Sequence, residues 1–424
     1  MAESYFIQKA TLIHDGHVFH DQKVDIVIEE GKISEIGTNI PPKGSLVSGE
    51  NLYVSEGWTD LRAHLTDPGF EHKDTLHSLL DTAASGGFTS VITLPHSEPP
   101  IADKSGVHYI INSTANHLVD LYPTGQINDS ERSENLAELF DMHMAGAISF
   151  TNGDSRMSNG LLKKALLYTK PFGAKIISHP SDKSLENGGV VNESEVTLHT
   201  GLKTSPSIAE YVSVKEQIEI AKYCESALHL TCISTKESVD LIKEAKSQGL
   251  SITCDVAIAN LCFTDEAVLS FDENHKVYPP LRSEADRTAL VDGVNDGTID
   301  AICSNHCPQN IESKMKEFDY AEYGSLTLQS VWPWYVKHLA DEVELKTFIS
   351  KLTNGPRKVL GQAIGKIEEG ESANLVVLDP SAEWTLDEST NRSMSKNTAE
   401  WKENQVGKVI AVFKNLKTNY NSNI

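Results

Sequence analysis

Between residues 56 and 360 the chain repeats one pattern eight times, and few architectures accommodate such a pattern. Short apolar runs recur as GWTDLRAHL, TSVITLP, HLVDLYP, AGAISF, AKIISH, ALHLTCIS, LSITCDV and IDAICSN. Between them lie stretches with helical periodicity, among them DTLHSLLDTAASGG, ESVDLIKEAKSQG and EADRTALVDGVNDG. Eight strands alternating with helices predict a (β/α)8 barrel, an α/β fold. Polar residues stand at or just beyond the strand ends: Arg62, His64, His96, Asn152, His179, Cys232, Asn305 and His306. Barrel enzymes place their chemistry there. Eight buried strands with incidental polar caps would give the same pattern.

The two ends read differently. KATLIHDG, KVDIVIEEGKISEIG and SGENLYVSEG, and again IGKIEEGESANLVVLDP and GKVIAVFKNLKTNY, cluster β-forming residues between Gly, Asp and Asn turns. Residues 1–55 and 361–424 are therefore expected to build one small β domain around a barrel spanning 56–360. The polar stretch DESTNRSMSKNTAEWKENQ is expected to be a surface loop that covers something.

Charge and cysteine usage narrow the function classes. There are 60 acidic against 37 basic residues, a net charge of -23. Such a surface repels nucleic acid and anionic membranes, so neither is expected as a partner. No apolar run approaches the ~18 residues that span a bilayer. MAESYFIQKATLIHDG lacks the basic-then-apolar pattern of a secretory signal. All six cysteines fall between Cys224 and Cys307 without a CxxC pair, which predicts reduced thiols and a cytoplasmic location.

From GWTDLRAHLTDPG onward the chain resembles the class I dihydroorotases of the amidohydrolase superfamily. The resemblance continues through EHKDTLHSLLDTAASGGFTSVITLPHSEPP, VNESEVTLHTGLKTSPSIAE, HLTCISTKESVDLI, HKVYPPLRSEADRTALVDGVNDGTIDAICSNHCP, NGPRKVLG, EGESANLVVLDPSAEWT and SMSKNT. It implies a distorted (β/α)8 barrel with a small β-sandwich formed by both termini. It implies interconversion of N-carbamoyl-aspartate and dihydroorotate. One or two zinc ions would polarise the cyclic amide and activate water, and a carboxylate on the last strand would serve as general base.

The family's site positions are largely replaced. Its first-strand D-x-H-x-H-x-R reads Asp60-Leu61-Arg62-Ala63-His64-Leu65-Thr66, which keeps one metal-binding histidine, His64. Arg62 has no lone pair to offer a metal. A divalent ion about 4 Å from its charge would be repelled by roughly 8 kcal/mol at an effective dielectric of about 20. Thr66 replaces the substrate-binding arginine. The bridging-aspartate position is Asn152, with Asp154 expected to be a solvent-facing turn residue; a shifted register is the alternative that would bring it in. His179 is kept. Cys232 stands at a ligand position, where a small buried hydrophobe is the plainer expectation. The general-base position is Asn305, whose amide cannot accept a proton from water, a loss of ~10²–10⁴-fold. Substrate positions read His96, Tyr278 and Gln309. By contrast Asp67-Pro68-Gly69, Gly86-Gly87-Phe88-Thr89, Pro279-Pro280-Leu281-Arg282 and Ser395-Lys396-Asn397-Thr398, which serve turns and packing, remain.

Three readings follow. In the first, the chain is a non-catalytic homologue without a metal cofactor, and the resemblance implies aspartate transcarbamoylase as partner; a homo-oligomer is also expected. In the second, His64, His179 and Cys232 hold one zinc and the chain hydrolyses a cyclic amide. In the third, a pocket lined by Arg62, His96 and Tyr278 binds an anionic metabolite, with Arg62 as anion partner. Arg62 is expected to point inward and to donate to Asn152, Asn305, a strand carbonyl or an anion.

Overall fold

A computed structural model describes residues 4–130, 133–155 and 157–420. Eight parallel strands form the barrel: β1 (Trp58–Ala63), β2 (Phe88–Thr93), β3 (Asp120–Gln126), β4 (Ser149–Thr151), β5 (Lys175–Ser178), β6 (Leu228–Leu230), β7 (Ile252–Ala257) and β8 (Ala301–Cys303). Each overlaps one of the eight apolar runs. Their order in the sheet is their order in the chain. The ring closes where Ala63 bridges His306 in parallel and the His64 amide donates to the His306 carbonyl (2.8 Å). Buried Asp60 strengthens this seam by accepting from the Ser304 amide (2.7 Å) and hydroxyl (2.5 Å).

The intervening helices form where a buried face meets the barrel, and several have a capped start. Lys236–Ser247 buries Val239, Ile242 and Ala245 against the barrel, and Thr235 caps it by accepting from the Ser238 amide. Glu284–Asp296 begins with a capping box between Ser283 and Asp286 and ends at Gly297 in the left-handed region.

Both termini build one eight-stranded sheet. The strand Ser4–Leu12 pairs antiparallel with Lys23–Glu29, and in parallel with both Ser45–Val47 and Tyr53–Glu56. Tyr53–Glu56 then pairs with Asn374–Thr385, which pairs with Asn404–Lys414. Ile7, Leu12, Ile26 and Val54 share one apolar core with Leu375, Val377 and Phe413. The expected β domain therefore draws on both ends of the chain. Its first three and last four residues (1–3 and 421–424) lie outside the described part.

The polar stretch 387–405 runs back over the barrel. Ser393 donates to Asp74 (2.8 Å) and Ser395 to the Lys73 carbonyl (2.6 Å), in the segment after β1. Asn397 accepts from the Gln309 amide (2.9 Å) and donates to the Cys307 carbonyl (2.9 Å), in the segment after β8. What it covers is the loop layer above the strand ends.

Barrel and β layer are joined by a buried ion pair between Arg357 and Glu56, with Arg357 also donating to the Gly57 carbonyl (3.3 Å). Both side chains are buried, so removing one leaves a bare charge. Arg357→Met is expected to lower the unfolding free energy by about 3–5 kcal/mol; urea titration with wild type alongside measures it.

Candidate functional site

Side chains from five strand ends meet at the barrel mouth around Arg62. Arg62 belongs to β1 and is only 1% exposed. Its Nε donates to Asn305 Oδ1 (3.0 Å), just past β8, and its Nη2 is ion-paired with Asp154, just past β4. Nη1 is buried with no partner among the described residues. The guanidinium thus points inward, as expected, and Asn305 is one acceptor. Asn152 is not another: its Oδ1 accepts from the Ile127 amide (3.1 Å), which turns it toward the loop after β3.

The expectation of a solvent-facing Asp154 is corrected. The turn after β4 swings its carboxylate inward, leaving 28% of the side chain accessible. Gly153 makes this possible. It sits at φ +56, and a Cβ there would lie 2.0 Å from the His96 ring. The turn is pinned by the Gly153 amide donating to Thr151 Oγ1 (3.0 Å) and by His96 Nε2 against the Asn152 carbonyl (3.1 Å). Burial raises the Asp154 carboxyl, but Arg62, helped by His64, His179 and His96, outweighs burial and holds it well below the usual carboxylate range.

Asn305 is suited to being an amide. It lies at φ +51, which Asn tolerates better than most residues. Its Oδ1 accepts from Arg62 while its Nδ2 donates to the Tyr278 carbonyl (2.9 Å). Arginine can only donate and a carbonyl can only accept, so the amide orientation is forced. A carboxylate here would set an oxygen against the Tyr278 carbonyl. The Tyr278 ring lies 4.9 Å from that of His179, and its hydroxyl donates to Glu186 (2.6 Å). Thr66 and Gln309 are absorbed into loop scaffolding, donating to the carbonyls of Asp74 (2.7 Å) and Tyr323 (2.8 Å).

Cys232 is fully buried, in line with the plainer expectation. Its sulfur lies 3.7 Å from that of Cys303. Both neighbour Asp255, inside β7, which the sequence reading did not single out. Asp255 accepts from His229 (2.9 Å), the Thr231 hydroxyl (3.0 Å) and the Cys232 amide (2.7 Å), locking β6 to β7. Its place as an acid inside an apolar run, just after Cys254, was the available signal.

Two triplets of possible metal donors assemble among the described residues: His64, His96 and Asp154, and Cys232, Asp255 and Cys303. His64, His179 and Cys232 do not assemble, so that proposed zinc set is corrected. In the pocket of the third reading, the charge of Arg62 is matched by Asp154. Zinc at the first-strand ligand position does not fit either, because the guanidinium fills it.

The comparisons place this geometry in a family. A family model described as dihydro-orotase-like matches residues 52–238. A dihydroorotase of Caldicellulosiruptor saccharolyticus is 36% identical over 401 residues, covering 92% of this chain and 93% of that relative. One from Geotalea daltonii is 34% identical over 383 residues, covering 89% and 90%. The chain belongs to the dihydroorotase family. The L-hydantoinase (dihydropyrimidinase) of Arthrobacter aurescens shares its fold, with a TM-score of 0.84 at 20% identity over 99% of this chain and 96% of that one. A D-hydantoinase structure superposes with a TM-score of 0.80 at 19% identity, covering 98% and 95%. Within the dihydroorotase family, then, this member carries an internal ion pair at the mouth of its barrel. No helix among its described residues is long and apolar enough to cross a membrane.

The site's histidines have a measurable signature. Burial lowers His64 and His179 to about 4, with Arg62 adding to the effect and Asp154 opposing it. An unfolded histidine titrates near 6.5. As pH falls from about 6.5 to 4 the unfolded chain takes up protons that the folded chain refuses, so stability present above 6.5 is lost. His179→Gln is expected to flatten that loss by roughly 3 kcal/mol. Urea titrations across this range test it, and an unchanged slope contradicts a buried neutral imidazole at 179.

Proposed function

We propose that this chain is a dihydroorotase-family protein of pyrimidine biosynthesis that does not catalyse the family's ring hydrolysis and serves as a structural or regulatory subunit. The observation that carries the reading is the chain of contacts Asp154–Arg62–Asn305–Tyr278 carbonyl. It puts a fixed cation at the first-strand ligand position and an oriented amide at the general-base position. Neither Arg62 nor Asn305 can both hold a metal and accept a proton from water.

The parts of the chain that keep the family's motifs support the same reading, because their contacts are architectural. Arg282 donates to Asn192 (3.1 Å), the Ser205 carbonyl (2.8 Å) and Ser234 (3.1 Å), tying the loop after β5 to the end of β6. Glu210 accepts from the amides of Ser234 (2.9 Å) and Thr235 (3.0 Å). These staples hold the barrel without reference to substrate.

Purified protein is expected to show no turnover of dihydroorotate and no stoichiometric zinc. Arg62→His alone should leave it inactive, since Asn305 still stands at the base position and Thr66 at the substrate-binding arginine position. Turnover by wild type, measured beside its metal content, would sink the proposal.

Aspartate transcarbamoylase is the proposed partner, by family analogy. The two proteins are expected to co-migrate in size-exclusion chromatography at micromolar concentration. Separate peaks together with unchanged transcarbamoylase activity would remove this partner.

A further inference from the structure

The family's zinc does not fit at the position of Arg62, yet metal-competent donors stand beside it. A ring nitrogen of His64, a ring nitrogen of His96 and a carboxylate oxygen of Asp154 all lie within 4.8 Å of one another. They come from three parts of the barrel: the end of β1, the loop after β2 and the turn after β4. His96 stands at a substrate position and Asp154 beside a ligand position, so this is not the family's ligand set. Around a tetrahedral ion with bonds near 2.1 Å, ligand atoms sit roughly 3.4 Å apart. His64 Nε2 and Asp154 Oδ2 are 3.8 Å apart, close to that spacing. Two imidazoles and one carboxylate suit zinc or cobalt, whereas magnesium demands an oxygen-rich octahedron.

One charge stands in the way. Arg62 ion-pairs with Asp154 through Oδ1, while Oδ2 faces His64. The guanidinium is an imperfect tenant: Nη1 is buried and without a partner among the described residues, which supply acceptors to only two of its three nitrogens. Gly153 is what lets His96 approach the turn, and that closeness does nothing for Arg62.

We propose that Arg62 is a tethered substitute cation in a latent transition-metal site formed by His64, His96 and Asp154. The guanidinium neutralises Asp154 and excludes the ion; its removal opens a site of two histidines and a carboxylate for zinc or cobalt. The inference rests on the reading of the wild-type chain as metal-free.

Cobalt(II) alone is the probe, followed by its visible d–d absorption and by the melting temperature. Wild type is expected to bind none stoichiometrically. Arg62→Ala should melt below wild type without metal, bind one cobalt per chain and recover melting temperature when cobalt is added. Arg62→Met, closer in bulk, should bind likewise and covers the case in which the alanine variant fails to fold. His96→Ala in either background should weaken cobalt binding by about tenfold or more. Folded Arg62 variants that bind no cobalt would overturn the inference and leave the metal-free reading intact, as would binding indifferent to His96→Ala. Stoichiometric cobalt in wild type would overturn the metal-free reading itself, and with it the claim that Arg62 excludes the ion.

Discussion

A guanidinium cannot be buried alone. It never deprotonates under protein conditions, and an unmatched charge inside a barrel costs far more than a folded chain can spare. Arg62 is almost fully buried, and the mouth of the barrel is organised to answer it. The turn after β4 gives up an outward-facing aspartate so that Asp154 can supply the opposite charge. Asn305 takes a left-handed backbone so that its oxygen faces Nε and its amide nitrogen faces a carbonyl. The histidines nearby stay neutral, because burial disfavours the charged ring and Arg62 adds to the effect.

The scaffold beneath owes little to these contacts. Arg282, Glu210, Asp60 and Arg357 each find their partners in loops, strand seams or the β layer. That separation explains how the mouth can trade one chemistry for another without loss of the barrel. Interactions that share no partners contribute independently, so the mouth can be altered without drawing on the staples.

The barrel was legible in the sequence because its signal is long and repeated: eight apolar runs, each becoming one strand. Site positions at strand ends were legible by the same logic, and the inward course of Arg62 followed from the cost of burying its charge. Asp154 was not legible. Its direction depends on the backbone sign at Gly153 and on a histidine far away in sequence, His96, folding over that glycine. Asp255 was missed because a single acid in an apolar run carries no periodic mark, and its role appears only once β6 lies beside β7. The strand Ser45–Val47 escaped for a related reason: three residues show no alternation, and only parallel pairing with Tyr5–Ile7 defines them.

The β layer has a temporal consequence. Its central pairing joins Tyr53–Glu56 to Asn374–Thr385, and its core mixes Ile7 and Val54 with Leu375 and Phe413. On the ribosome, the first strands emerge long before their partners exist, and such non-local pairing forms late. Until then an apolar face and an open strand edge stay uncovered, a template for association with other chains. A copy cut short before residue 374 would keep every barrel strand and still display that edge. The layer is thus sealed only once residues 374–414 have been translated and have joined it.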